Sequence, residues 1–229
     1  MKYTITGTQM QALEIELDEG EKIYSDSGKL VSKTEGVVMT PRLVGGIMGA
    51  ITRGATGATG MLTEFKSNKG VGDVALAGTM PGKIVPIELK EGDQFVAEHY
   101  AFIAAEDSVK FTMQTVSLAS ALMGGAGLVL QKFVGPGTVF IHVIGDVIEY
   151  KLDGSESVEV DPGHLAGFDA TLSYNVKLVD NVKTMMFGGL GLFLATFKGK
   201  GRVLLHSVSR YKLAMEMFSV GMAQAKKKG

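Results

Sequence analysis

Apolar and polar residues alternate along Leu13-Glu14-Ile15-Glu16-Leu17-Asp18, which predicts a strand with one buried face. The same period of two puts Val85, Ile87 and Leu89 on one side, and later Val158 with Val160. Each run closes on a glycine, in Asp18-Glu19-Gly20, Lys90-Glu91-Gly92 and Asp161-Pro162-Gly163, and these read as turns. A second alternating pattern follows an aromatic residue: Phe65 before Gly72-Asp73-Val74-Ala75-Leu76, Phe133 before Gly137-Thr138-Val139-Phe140-Ile141, and Phe197 before Gly201-Arg202-Val203-Leu204-Leu205. These also predict strands, entered through glycine-rich hairpin turns such as Phe197-Lys198-Gly199-Lys200-Gly201.

Both patterns occur three times, in the same order, at intervals of about 70 residues. A unit of that size is marginal as an independent core, so the units are expected to bury their apolar faces against one another. The expected organisation is one composite domain over residues 1–229, with repeats at about 1–82, 83–153 and 154–210. Between the two patterns lies a segment that shortens from copy to copy yet keeps glycine pairs and methionine. Its three forms are Gly45-Gly46-Ile47-Met48-Gly49, Leu122-Met123-Gly124-Gly125, and Met185-Met186-Phe187-Gly188-Gly189. After the last repeat, residues 211–225 hold good helix formers with apolar Ala214, Met217, Phe218 and Met222 along one face. Lys226-Lys227-Lys228 follow, suiting a helix C-terminus.

Composition removes several classes of function. Lys plus Arg number 23 against 24 Asp plus Glu, a net charge of −1, so the basic footprint of a nucleic-acid binder is missing. There is no cysteine, which excludes disulfides, thiolate metal sites and a cysteine nucleophile. The stretch from Phe111 to Gln131 carries no charge and is long enough to span a bilayer. Its Thr, Gln, Ser and Gly residues, and the charged residues at matching places in the other repeats, argue against that. The N-terminus has no apolar signal core or targeting presequence, so a soluble cytoplasmic protein is expected.

Four strings together resemble one family: Tyr24-Ser25-Asp26-Ser27-Gly28, Gly60-Met61-Leu62-Thr63-Glu64-Phe65, Val160-Asp161-Pro162-Gly163-His164-Leu165 and Phe197-Lys198-Gly199-Lys200-Gly201. They look like those of the "altered inheritance of mitochondria" biogenesis family, over about residues 3–210. That resemblance implies a fold similar to the tryptophan RNA-binding attenuation protein, a small β-sandwich that assembles into rings. It brings no catalytic residues. The expected fold is therefore all-β: three such sandwich repeats around a pseudo-threefold axis, plus a short C-terminal helix. A homo-oligomer follows from the ring-forming relatives, with a trimer as the expected size.

One polar position accompanies the pattern. Six residues after each turn glycine stands a carboxylate, Asp26, Glu98 or Asp169. Around a shared axis these three would offer oxygen ligands to a hard cation or small ligand. The structural alternative is that each carboxylate accepts backbone N–H bonds in its turn. His142 and His206 also sit at matching places, but Ala77 occupies the third, which breaks a three-histidine zinc set. The phosphate-binding motif Gly-x-x-x-x-Gly-Lys-Ser/Thr is absent. The Gly/Met segments, with Met48, Met123, Met185 and Met186, offer soft apolar contact suited to core cover, subunit contact or peripheral membrane contact. The function expected is a non-enzymatic oligomeric scaffold or binding protein without a cofactor. A carboxylate-based ligand or metal module and an RNA-binding ring stand as alternatives.

Overall fold

The computed structural model describes residues 1–43, 61–115, 129–178 and 193–225. The described residues are mostly antiparallel strands, followed by one C-terminal helix. The first stretch holds β1 (Lys2–Thr6), β2 (Ala12–Leu17), β3 (Lys22–Asp26), β4 (Leu30–Lys33) and β5 (Val37–Leu43). Next come β6 (Met61–Ser67), β7 (Gly72–Ala77), β8 (Gly82–Leu89), β9 (Gln94–Glu98), β10 (Phe102–Glu106) and β11 (Lys110–Thr115). Then follow β12 (Val129–Val134), β13 (Gly137–Ile144), β14 (Val147–Val160), β15 (Leu165–Asp169), β16 (Ser173–Leu178), β17 (Phe193–His206) and α1 (Arg210–Ala225). The expected C-terminal helix is present. No helix among the described residues is long and apolar enough to cross a membrane.

The strands form three sheets. The first is ordered β1-β2-β7-β4, the second β5-β6-β3-β10-β13-β8, and the third β11-β12-β9-β15-β17-β14, with β16 also paired to β17. Alternation along β2 and β7 turns Leu13, Ile15, Leu17, Val74 and Leu76 onto one buried face. They pack with Ile23, Phe65, Ile103 and Phe140 of the second sheet. The other face of that sheet, with Phe102, Ala105, Val139 and Ile141, packs on Phe95, Ala97 and Phe133 of the third. A third core, around Val96, Leu130, Phe168 and Phe197, lies on the far side of the third sheet. The middle sheet is thus buried on both faces. This is why Phe102-Ile103-Ala104-Ala105 reads as a continuous apolar run rather than an alternation.

The glycine-rich turns carry the chain between sheets. β2 lies in the first sheet and β3 in the second; β8 lies in the second and β9 in the third. Likewise β6 and β7, and β12 and β13, belong to different sheets. The expected hairpins at these glycines are therefore corners. In the last part of the chain the corners are continuous strands: β14 and β17 run for 14 residues each, paired along their length with a register shift between Asp153 and Ser157. The boundary expected at 153/154 falls inside β14.

That continuity corrects the alignment of the turns. Gly20, Gly92 and Gly154 take positive φ of 88°, 83° and 105°, a conformation natural only to glycine, whereas Gly163 does not. The turn glycine of the last stretch is thus Gly154, and Gly163 lies in a 3-10 turn, Pro162–His164. Hydrogen bonding follows the same frame. β4 meets β7 with a register shift after Leu30, β10 meets β13 with one after Phe102, and β15 meets β17 with one after Leu165.

Phe133 is fully buried with its ring centroid 5.0 Å from that of Phe102 and 5.3 Å from that of Phe111. Phe133→Ala is expected to cost about 3–5 kcal/mol through the lost contacts and the cavity, read as a lower urea midpoint.

Candidate functional site

The three register shifts give a common reference for the polar residues. Leu30, Phe102 and Leu165 start the three bulged strands, so the residues four before them correspond: Asp26, Glu98 and Asp161. Each ends a strand or caps the turn after it. Glu98 accepts the Tyr100 N–H at 2.9 Å, and Asp161 accepts the Gly163 N–H at 2.9 Å. This is the backbone-capping role of a short acidic side chain at a 3-10 turn.

Asp169 lies elsewhere. It ends β15 opposite Phe95, while Glu98 is three residues further along β9. Both its oxygens are taken by Arg202: Nη2 donates to Oδ1 at 3.0 Å, Nε to Oδ2 at 3.1 Å, and the Arg202 backbone N–H to Oδ2 at 2.9 Å. This bidentate pair pushes the Arg202 guanidinium further above its ordinary range. The count of six from Gly163 thus leads to a carboxylate held by Arg202. The methionines Met48, Met123, Met185 and Met186 lie outside the described residues.

Around Asp26 and Glu98 gathers a buried polar cluster that the sequence pattern does not assemble. Lys29 is 4% exposed, its Nζ 4.0 Å from Asp26 Oδ2. Burial lowers its pKa; the charges of Asp26 and Glu98 act the other way. Burial raises Glu98 to about 7, opposed by Arg210, by the Tyr100 and Ala101 N–H groups and by Lys29. His99, on the turn that Glu98 caps, accepts from Gln131 Nε2 at 2.8 Å. His206 Nδ1 accepts the Ile144 N–H at 2.9 Å, and His164 Nδ1 donates to the His206 carbonyl at 2.8 Å. His142 fits against Gly78 and Gly82, where any Cβ would overlap its ring.

Burial is the first cause of a pKa near 4 for each of His99, His142 and His206. Lys29 and Arg210 add to the effect at His99, Lys29 at His142, and His142, His164 and Arg210 at His206. The helix closes the cluster. The Arg210 guanidinium lies over the Tyr100 ring, 3.1 Å from its centroid, and Lys212 Nζ is 2.9 Å from Asp161 Oδ2. Burial would raise Asp161, but the bonds from Lys212 and Gly163 outweigh it and hold its pKa low.

Chemically this is an internally compensated cluster. Its neutral histidines are engaged by backbone or amide groups, and its carboxylates by N–H groups and cations. Among the described residues no group of three or more His, Asp or Glu is arranged to hold a metal ion. The sequence did carry a signal for it. Asp26-Ser27-Gly28-Lys29 and Asp161-Pro162-Gly163-His164 share Asp-x-Gly followed by a base, which aligns Asp161, not Asp169, with Asp26.

Two outcomes follow from the cluster. The ordinary histidine pKa is 6.5, and the three folded values are near 4, so the unfolded chain binds three more protons between those limits. Glu98 works oppositely between 4.5 and about 7, because its folded form holds the proton. The histidine contribution is complete above pH 6.5 and is lost as pH falls toward 4. With a net excess of about two protons on unfolding, stability should drop by about 3 kcal/mol per pH unit there. Urea midpoints between pH 7.5 and 5 read this, and His206→Asn, which keeps an acceptor for the Ile144 N–H, should lower the slope by about one proton. Separately, Gly82→Ala should cost about 1–3 kcal/mol by pushing His142 and the Val143 carbonyl aside, measured by denaturant titration at pH 7.5.

Known proteins frame this geometry. The family model described as mitochondrial biogenesis AIM24 matches residues 3–208. An uncharacterised protein of Streptococcus pyogenes serotype M6 is 29% identical over 222 residues, covering 93% of this chain and 88% of the relative. A crystal structure of a Streptococcus pyogenes protein superposes with a TM-score of 0.80 at 28% identity, over 96% of this chain and 99% of that one.

Proposed function

The chain belongs to the mitochondrial biogenesis AIM24 family, and on that footing we propose that it is a non-enzymatic, self-associating β-scaffold that binds partners at one end. The carrying observation is the state of the polar cluster. Lys29, His99, His142 and His206 are each no more than 4% exposed, and their bonds run to the protein's own groups. Such a cluster fixes how three sheets and a helix meet, and it keeps its donors and acceptors for that task.

The recurring register supports three related units joined in series through β3·β10 and β9·β15, each a sandwich of the attenuation-protein type. The binding end follows from where the strands re-enter. β6 begins at Met61, one residue before the partner of Asp26; β12 begins at Val129, one before the partner of Glu98; β17 begins two before the partner of Val160. All three Gly/Met segments therefore attach where the cluster lies. We assign partner contact to them, with Met48, Met123, Met185 and Met186 as the soft apolar groups, which suits varied apolar surfaces.

A second reading, a cation or small ligand held by Asp26 and Glu98, requires that it displace Lys29, whose Nζ lies 4.0 Å from Asp26 Oδ2. Thermal melts separate the two. The scaffold reading expects melting temperature unmoved by millimolar Mg²⁺, Ca²⁺, Mn²⁺ or Zn²⁺, and a mass above 24.3 kDa by sedimentation. A bound cation at 100 times its Kd would add about 2.7 kcal/mol and raise the melting temperature. A monomer at every concentration would sink the scaffold reading.

A further inference from the structure

We propose that β4 and the C-terminal part of β14 are the two halves of one seam, joined between copies of this chain. The inference deepens the self-association reading and rests on it. Its basis is a comparison the molecule makes within itself. The bulged strand β10 pairs on its outer side with β3, placing Ala104 opposite Ser25 and Ala105 opposite Tyr24. The bulged strand β15 does the same with β9, placing Gly167 opposite Ala97 and Phe168 opposite Val96. The third bulged strand is β4. Among the described residues it pairs with β7 alone and forms the edge of its sheet.

Exposure follows this difference. Ile103 of β10 and Ala166 of β15 are fully buried, whereas their counterpart Val31 is 63% exposed. The complementary edge is also open. Residues Ser157 to Val160 of β14 hold the place that β3 and β9 hold, pairing with Phe197 as those strands pair with Phe65 and Phe133. Among the described residues no strand pairs beyond them. Among the described residues, one chain therefore carries a bulged edge without its outer partner, and a partner strand without its bulged edge.

Transferring the register of the two formed seams to the open one sets Ser32 opposite Val160 and Lys33 opposite Glu159. Cross-strand pairs of opposite charge favour a register, and like charges oppose it. A second copy is the occupant that matches both edges at once, because each copy supplies one of each kind and a closed set of copies leaves none free.

Sedimentation equilibrium of the full chain at 150 mM salt, over a range of concentrations, tests this. Wild type should associate. Lys33→Glu and Glu159→Lys should each weaken association about tenfold, since each places like charges in the seam of every copy. The double variant Lys33→Glu/Glu159→Lys should restore it, with circular dichroism confirming that all three variants fold. A wild-type monomer overturns both this seam and self-association. Association that the single variants leave unchanged, or that the double variant fails to restore, overturns the seam and leaves self-association standing.

Discussion

Everything in this molecule depends on strands that pair outside their own sandwich. A stretch of about 70 residues buries only a marginal core by itself. Here β3 joins β10, and β9 joins β15, so that each such stretch completes its neighbour's sheet. The pairing does more than add hydrogen bonds. It places a second apolar layer over the middle sheet, and so decides that Phe102, Ile103, Ala104 and Ala105 face protein on both sides. Where that pairing ends, at β4, burial ends too. The same backbone frame gives a core strand in two places and a surface strand in the third.

The polar cluster is the second consequence. Strand ends brought together by shared sheets leave carbonyls and N–H groups that must find partners away from water. Glu98 and Asp161 cap their turns, and His206 accepts the Ile144 N–H. Burial lowers three histidines to a pKa of about 4 and raises Glu98 to about 7. Arg210 joins the helix to this arrangement through Tyr100. A buried polar network whose members are bonded in this way fixes one packing geometry.

How much of this was legible depended on whether a property was local. The period of two in β2 and β7, the C-terminal helix and the family were readable because side-chain alternation and turn residues act within a few positions. The corners were not. A glycine-rich break looks the same whether the chain folds back as a hairpin or crosses to another sheet, and only the long-range pairing tells them apart. Asp169 was misplaced for a related reason. Gly163 follows an alternating run as Gly20 and Gly92 do, yet it lies in a 3-10 turn, while the positive φ belongs to Gly154 inside a bulge. Lys29 could not be seen as buried at all, because a lysine's burial is set by partners distant in sequence. His142 and His206 are both buried, the first against Gly78 and Gly82 and the second accepting the Ile144 N–H.

The side chains that break the recurring pattern carry the functional argument. At one set of matched places stand Lys29, Ala101 and His164; at another stand Ala77, His142 and His206. A ligand gripped equally from three directions needs three equal groups, and neither set supplies them. The differences instead compensate one another, Lys29 with Asp26 and Glu98, and Lys212 with Asp161. The same logic governs the outside. Two seams are sealed by small or apolar pairs, Ala104 with Ser25 and Phe168 with Val96, which suits permanent burial. At the open edges the matched places hold Lys33 and Glu159, which suits strands that meet water before they meet a partner. The formed seams thus carry small or apolar pairs, whereas the open edges carry charge.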